Sequence, residues 1–173
     1  MEARAPWVWC DAAAMKELHA TASATVAASP EQITALLADV EGYPRWYPDL
    51  IRDAETVERG ADGTPTRARA TIHLALGPLV RDFAMELAVT VVPGQSVTLT
   101  RVPHEPSDPE RFEVSWRVQP GASAQLLLEL AANVDVPRLL PVGTLGEQLA
   151  QGFVEAASRA LAGSSPNASA SSS

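Results

Sequence analysis

The stretch Val26–Pro48, VAASPEQITALLADVEGYPRWYP, decides the fold of this 173-residue chain. Ser29 can cap a helix, Pro30 suits the first helical position, and Gln32 follows Ser29 by three residues, as in a capping box. Apolar residues continue from there at helical spacing, at Ile33, Leu36, Leu37 and Val40. The stretch therefore predicts an amphipathic helix that begins at Pro30.

A strand and a second helical segment flank this helix. Residues His19–Ala27 are predicted to form the strand that precedes it. A short helical segment over Glu41–Trp46 is predicted to end at Pro48, because the residue before a proline is pushed out of the α region.

Beyond Ile51 the apolar residues recur with a period of two. In Thr66–Leu76 the alternate residues Ala68, Ala70, Ile72, Leu74 and Leu76 are apolar. The same pattern predicts further strands over Ile51–Glu58, Val80–Val92, Ser96–Val102, Arg111–Gln119 and Ala122–Val136. Short turns rich in glycine and proline separate most of them, Gly77-Pro78 among these, so neighbouring strands should be antiparallel, each with one buried face.

The last predicted element is a long amphipathic helix over Pro141–Leu161, with Gly163 as its stop signal. It is the only long element left to cover the apolar face of the sheet. We therefore predict an α+β fold, with a curved antiparallel sheet of about seven strands around this helix and two short helices after the first strand. A strongly twisted sheet leaves space near the helix ends, which predicts an apolar cavity. Gly146 and Gly152 lie on this helix and have two interpretations. They either leave volume unfilled beside the sheet or allow close packing of the helix.

The two ends of the chain are predicted to lie outside the domain, which spans residues 18–162. Residues 1–17 form an N-terminal extension, for which either disorder or packing through Trp7 and Trp9 is open. Two start residues are considered for the natural protein, Met1 and Met15, and the sequence does not decide between them. Residues 163–173 form a serine-rich tail without an anchoring apolar side chain, so they are predicted to be disordered.

The charge balance argues against two classes of partner. The formal net charge is −8 and the pI about 4.8, which disfavours binding to nucleic acid and to anionic membrane surfaces. No apolar run approaches the ~20 residues of a spanning helix, so no stable membrane insertion is predicted. Cys10 is the only cysteine, which excludes an internal disulfide, and a cytoplasmic location is predicted. Lys16 is the only lysine among 13 basic residues, and alanine is abundant, as in bacterial genomes of high GC content.

The opening stretch resembles START-like (SRPBCC) proteins, which read as an alanine-rich helix start followed by D-hydrophobic-x-x-Y/W-P-x-W-x-P. The matching positions are Asp39, Tyr43, Pro44, Trp46 and Pro48. The chain is most similar to the polyketide cyclase/dehydrase-like and coenzyme-Q-binding-like branch, and Gly77-Pro78 is also similar to members associated with carbon monoxide dehydrogenase. The resemblance covers residues 18–162 and implies the helix-grip fold. It implies no particular reaction, because one fold hosts many functions.

Metal-binding and catalytic patterns are lacking in the sequence. The histidines His19, His73 and His104 do not have the spacing of a ligand pair, so we predict no metal site. Asp108 and Glu110 are interpreted as solvated surface. No nucleophile elbow and no phosphate-binding glycine loop are present, so neither a catalytic residue nor a cofactor is predicted.

Arg101 alternates with Val97 and Leu99, which places it on the predicted buried face. A buried guanidinium needs acceptors or a ligand anion, whereas an arginine at a strand end can extend to water, and both interpretations are open. Aromatic and aliphatic residues of several elements should meet on the same face. The predicted ligand-binding residues are Tyr43, Trp46, Tyr47, Phe83, Met85, Leu99, Arg101, Trp116, Leu128, Leu145, Leu149 and Phe153. Ordinary core packing is the alternative for these side chains.

Three functions are compatible with the sequence. The first is binding or transport of a small hydrophobic ligand, such as a lipid, an isoprenoid or a polyketide-like molecule, in the internal cavity. The second, implied by the resemblance, is an enzyme of the polyketide cyclase, aromatase or dehydrase type. The third is a protein-interaction or chaperone-like module. The scarcity of inward-facing titratable groups favours the first over the second.

Overall fold

The computed structural model describes residues 13–76, 79–137 and 142–164. These residues form the following strands and helices, in chain order: β1 Ala13–Val26, α1 Pro30–Ala38, α2 Tyr43–Trp46, β2 Ile51–Arg59, β3 Pro65–Leu76, β4 Leu79–Val92, β5 Ser96–Arg101, β6 Arg111–Gln119, β7 Ala124–Pro137 and α3 Gly143–Ser164. A single 3-10 turn over Val40–Gly42 joins α1 to α2. The predicted order of elements is confirmed.

The strands form one antiparallel sheet of seven strands in the order β1-β7-β6-β5-β4-β3-β2. Six strands follow one another as a meander, and β1 pairs with β7 in continuous register from Ala13↔Pro137 to Val26↔Ala124. The strands β1 and β2 are therefore the two edges of the sheet. The long C-terminal helix lies across the concave face of this curved sheet, which confirms the helix-grip fold.

The start of α1 has the predicted capping box. The Ser29 hydroxyl accepts a hydrogen bond from the Gln32 backbone N–H at 3.2 Å, and the Ser29 N–H donates to Gln32 Oε1 at 3.0 Å. One turn later, the buried Thr34 hydroxyl donates to the Pro30 carbonyl and accepts from the Gly94 N–H at 3.0 Å. Because Gly94 lies in the turn between β4 and β5, these bonds hold α1 against the end of the sheet.

The core fills the space between the concave face and α3. The helix buries Leu145, Ala150, Phe153, Val154, Ala156, Ala157 and Leu161. Opposite them, the inward positions of the strands are buried as the alternation predicts, with Trp116, Leu126, Leu128 and Leu130 at most 1% exposed. None of the described helices is both long and apolar enough to cross a membrane.

The first strand and the last helix each extend further than predicted. The strand β1 begins at Ala13, six residues before the predicted His19, because residues 13–17 pair with residues 133–137 of β7. Met15 therefore lies inside a strand. At the other end, α3 continues through Gly163 to Ser164, so the prediction of Gly163 as the stop was wrong. The predicted Gly77-Pro78 turn, residues 1–12 and residues 165–173 lie outside the described residues.

Candidate ligand cavity between the sheet and the terminal helix

A small apolar cavity of about 70 Å³ lies between the sheet and the first half of α3. Its walls come from six strands, from α3 and from the end of the β5–β6 loop. The lining residues are Leu18, Ile72, Leu74, Phe83, Ala84, Met85, Arg101, Glu110, Arg111, Phe112, Leu130, Ala132, Asn133, Val134 and Leu149. Larger depressions lie on the surface, among them an open groove of about 480 Å³ between β1 and α3 with a partly polar lining.

The cavity lies where two buried hydrophobic clusters meet. The main cluster surrounds Trp116 and Phe153, and a smaller one consists of Leu18, Ala132 and Leu145. Three half-buried side chains contact both clusters, namely Leu74, Phe112 and Leu149. All three also line the cavity. Leu74, Phe112 and Leu149 therefore connect the two clusters across the cavity, and none of the three is fully buried in either cluster.

Arg101 closes one wall of the cavity through a network with the β5–β6 loop. Its side chain is 7% exposed, and Nη2 lies 2.8 Å from Asp108 Oδ2 and 3.3 Å from Glu110 Oε2. Nη1 donates to the Glu110 carbonyl at 2.8 Å. This resolves the two alternatives for Arg101, because the guanidinium is buried, faces inward and has protein acceptors rather than water.

The interpretation of Asp108 and Glu110 as solvated surface was wrong for Asp108, whose side chain is only 12% exposed. Hydrogen bonding from Arg101, with backbone N–H donors from Glu110 and His104, lowers the pKa of Asp108 to about 2. The β5–β6 loop places the carboxylates of Asp108 and Glu110 beside Arg101 at the end of β5. The alternation of residues within strands does not predict this contact.

Five of the predicted aromatic residues form one continuous cluster beside α3. The ring centroids of Tyr43 and Trp46 are 4.6 Å apart, and those of Trp46 and Tyr47 are 6.4 Å apart. Phe153 then contacts both Tyr47 and Trp116 edge to face, at 5.0 and 6.1 Å. This cluster belongs to the main core and does not line the cavity, so core packing accounts for it in this structure.

Tyr43 is buried, and its hydroxyl donates to the Leu37 carbonyl at 2.6 Å. Burial raises the pKa of Tyr43, while the nearby indole of Trp116 lowers it to a lesser degree. The Trp116 Nε1–H itself has no partner with hydrogen-bonding geometry. Burial also raises the pKa of the half-buried Tyr47. Both phenols therefore stay protonated at neutral pH and are poor proton acceptors.

The structure divides the predicted ligand-binding residues into two groups. Phe83, Met85, Arg101 and Leu149 line the cavity. The others contribute to the core outside its lining, namely Tyr43, Trp46, Tyr47, Leu99, Trp116, Leu128, Leu145 and Phe153. Lining residues missed from the sequence include Leu74 and Phe112, although both occupy inward positions of their strands. The role of all these residues as ligand contacts stays a prediction.

Within the described part of the chain, no group of three or more His, Cys, Asp or Glu side chains could hold a metal ion. His73 Nδ1 lies 2.6 Å from Asp82 Oδ1, and His19 Nε2 lies 3.2 Å from Glu129 Oε1. Both of these histidines are thus paired with a single carboxylate from a neighbouring strand.

A protein-family model described as polyketide cyclase/dehydrase and lipid transport matches residues 17–164. The chain belongs to this family. The matched region includes every residue that lines the cavity, so the cavity lies within the part of the chain that defines membership. The resemblance to START-like proteins noted in the sequence is thereby confirmed.

Solved structures show the same fold. A START superfamily protein from Mycobacterium smegmatis is 25% identical over 84% of this chain and 95% of that chain, with a TM-score of 0.59. The Zhui aromatase/cyclase from a Streptomyces species is 16% identical over 89% and 99%, with a TM-score of 0.58. A STAR-related lipid transfer protein from Xanthomonas axonopodis is 16% identical over 83% and 85%, with a TM-score of 0.61.

Proposed function

We propose that this protein binds a small hydrophobic molecule in the cavity between the sheet and α3. The observation that carries this proposal is the apolar lining of a cavity located between two separate hydrophobic clusters. Burial of apolar ligand surface there would contribute about 25 cal/mol per Å², from which the costs of ordering are subtracted. The family includes lipid transport in its description, and one structural neighbour is a lipid transfer protein, which supports the same class of ligand.

The cavity must widen to accept such a ligand. Ligand pockets commonly measure ~300–1,000 Å³, and this cavity measures about 70 Å³. The side chains that can move are Leu74, Phe112 and Leu149, because each is half-buried and bridges the two clusters. A ligand that separates them would replace their contacts with its own apolar surface, so little hydrophobic burial would be lost.

Three polar residues at the cavity wall, Arg101, Glu110 and Asn133, already have partners. Arg101 is paired with Asp108 and Glu110, and Asn133 Nδ2 donates to the Pro109 carbonyl at 3.0 Å. A cyclase-type enzyme would need a free acid or base beside its substrate. The pairing of Glu110 with Arg101 leaves neither group free in this structure, so binding is favoured over catalysis.

Native mass spectrometry of the purified protein tests the proposal directly, because a carrier retains a co-purified apolar molecule. A titration with the apolar fluorophore N-phenyl-1-naphthylamine supplies an affinity. Ala132→Leu adds three carbon atoms at the cavity wall and should weaken probe binding at least tenfold, as expected when a filled site is overpacked.

Ala131→Leu is the matched control. Ala131 precedes Ala132 in β7 and points to the opposite face of the sheet, so the same substitution should leave probe affinity unchanged. Equal probe affinity in the wild type and in Ala132→Leu would contradict binding in this cavity. Absence of both probe binding and a co-purified ligand would contradict the proposed function as a whole.

A further inference from the structure

The cavity reaches the outer surface through a gap in the sheet. The strand β5 ends at Arg101, so residues 79–86 of β4 have a strand partner only on the β3 side. On the other side of this gap, β7 continues to Pro137. Three cavity-lining residues occupy outward positions of their strands: Ala84, Arg111 and Asn133. Residues from both faces of the sheet therefore meet here, and we call this gap the mouth.

Arg81 extends across the mouth from β4 to β7. It alternates with Phe83 and Met85, which places it on the concave face. Its Nη1 donates to the Asp135 backbone carbonyl at 3.3 Å, and its guanidinium carbon lies 4.8 Å from the centroid of the Phe83 ring. Arg81 is exposed, so this cation lies over the ring of the lining residue Phe83 and remains accessible to solvent.

Arg111 lies on the opposite border of the mouth. It is exposed, lines the cavity and pairs in register with Asn133 of β7. Within residues 13–76, 79–137 and 142–164, neither Arg81 nor Arg111 forms an ion pair. Two cations without carboxylate partners thus border the entrance to the cavity, in a chain whose formal net charge is −8.

Neighbouring carboxylates among the described residues form no ion pair with these arginines. Glu110 is paired with Arg101, and Asp82 is paired with His73. Asp135 offers its backbone carbonyl to Arg81, but its side chain forms no ion pair with it, and Asp135 Oδ1 is buried without a hydrogen-bond partner. Arginine near an apolar surface binds carboxylate and phosphate well, because its planar donors are weakly hydrated.

We infer that the ligand is an anionic amphiphile whose apolar part lies in the cavity and whose carboxylate or phosphate is bound by Arg81 and Arg111 at the mouth. This inference rests on the proposed function and narrows its ligand class. The anionic group would replace the Asp135 backbone carbonyl as the partner of Arg81. Because that carbonyl carries no net charge, binding would not break an ion pair. The apolar chain would separate the clusters behind Phe83.

Competition between two probes of equal chain length tests the inference. Decanoate and decanol are titrated against bound N-phenyl-1-naphthylamine at pH 7.5, with decanoate ionised and both below their aggregation limits. The wild type should bind decanoate about fivefold more tightly than decanol, which is the upper range for a solvent-accessible ion pair. Arg81→Gln should remove most of this preference, Arg111→Gln part of it, and Arg81→Lys should retain more than Arg81→Gln.

Arg117→Gln is the matched control, because Arg117 is exposed on the outer face of β6, six residues from Arg111. It makes the same change in net charge and should leave the preference intact. Melting curves verify that each variant is folded. Inorganic phosphate at matched ionic strength should not displace the fluorophore, since a free anion lacks the apolar chain.

The outcomes separate this inference from the proposed function. If decanoate and decanol displace the fluorophore equally in the wild type, the anion site is wrong and hydrophobic binding stands. A preference that survives both Arg81→Gln and Arg111→Gln, or displacement by inorganic phosphate alone, would also overturn the inference. If neither amphiphile displaces the fluorophore, or the fluorophore does not bind, hydrophobic binding itself fails.

Discussion

The hydroxyl of Tyr47 lies directly against the backbone of Gly152, so closely that a methyl group at position 152 would collide with it. The Tyr47 ring is held on both sides, since it stacks on Trp46 with an interplanar angle of 7° and contacts Phe153 at 5.0 Å. Of the two sequence-based interpretations of Gly152, close packing therefore describes the structure. The glycine allows α2 and the following residue to approach α3.

Gly152→Ala should destabilise the protein, against the usual trend for helices. Replacing glycine by alanine inside a helix normally stabilises it by about 1 kcal/mol. Here the added methyl group must displace the Tyr47 ring, and overpacking of this kind costs about 1–3 kcal/mol. We expect a net loss of about 1 kcal/mol in the free energy of unfolding, measured by urea denaturation.

Gly146→Ala is the control on the same helix. A methyl group there would lie 3.5 Å from Ala20 Cβ and 3.7 Å from Leu18 Cδ2, which is ordinary contact. This variant should therefore gain about 1 kcal/mol. In a Tyr47→Leu background, Gly152→Ala should lose its penalty. If Gly152→Ala were still destabilising in that background, the collision with Tyr47 would not be the cause.

The Arg101–Asp108 ion pair predicts a specific acid dependence of stability. Arg101 lowers the pKa of Asp108 from 3.8 to about 2 in the folded state. A carboxylate with a depressed folded pKa stabilises the fold above its unfolded pKa, and this contribution is lost as the pH falls from about 4 towards 2. Asp108→Asn should flatten the pH dependence of the urea midpoint across this window.

Asp53→Asn serves as the comparison for Asp108→Asn. Asp53 is exposed on β2 and forms no ion pair with the described residues. Its substitution should leave the acid limb of the stability profile as in the wild type. Identical acid limbs for Asp108→Asn and the wild type would show that the ion pair does not contribute.

Tyr43 is predicted to act in folding rather than in ligand chemistry. Its hydroxyl donates to the Leu37 carbonyl near the end of α1, and Tyr43→Phe would leave that carbonyl unpaired. The expected cost is about 1 kcal/mol in the free energy of unfolding. Affinity for N-phenyl-1-naphthylamine should not change, because Tyr43 does not line the cavity. A loss of affinity at unchanged stability would contradict this assignment.

Much of the fold could be predicted because local patterns agree with long-range structure. The capping box at Ser29 and the alternation in β3 to β7 depend on neighbouring residues only. The errors occur where distant pairing decides the outcome. Residues 13–17 lack a pattern of their own and are strand only because they pair with residues 133–137 of β7. Glycine commonly marks the end of a helix, so the sequence did not predict that α3 continues through Gly163.

The site could be predicted less well, because alternation gives the face of a side chain and not its position along the sheet. Phe83 and Trp116 both face inward, yet only Phe83 lines the cavity. The partners of Arg101 come from a proline-rich loop without periodicity. The sequence places Arg81 on the same face of β4 as Phe83, because the two residues are two positions apart. Its contact with β7 could not be predicted, because it depends on the early end of β5.

Leu149 and Leu145 lie one turn apart on α3 and allow cavity and core effects to be separated. Leu149 lines the cavity and contacts both clusters, whereas Leu145 is 4% exposed and lies outside the lining. Truncating either to alanine removes the same atoms and should cost about 2–3 kcal/mol in the free energy of unfolding. Only Leu149→Ala should enlarge the cavity where the ligand is proposed to enter.

Leu149→Ala should therefore bind N-phenyl-1-naphthylamine more tightly than the wild type, because less side-chain displacement opposes entry of the ligand. We expect a gain of about three- to tenfold, equivalent to about 1 kcal/mol of displacement cost that is no longer required. Leu145→Ala, equally destabilised, should show no gain. If both variants gained affinity equally, general loosening of the core would explain the effect, and the bridging position of Leu149 would not control access to the cavity.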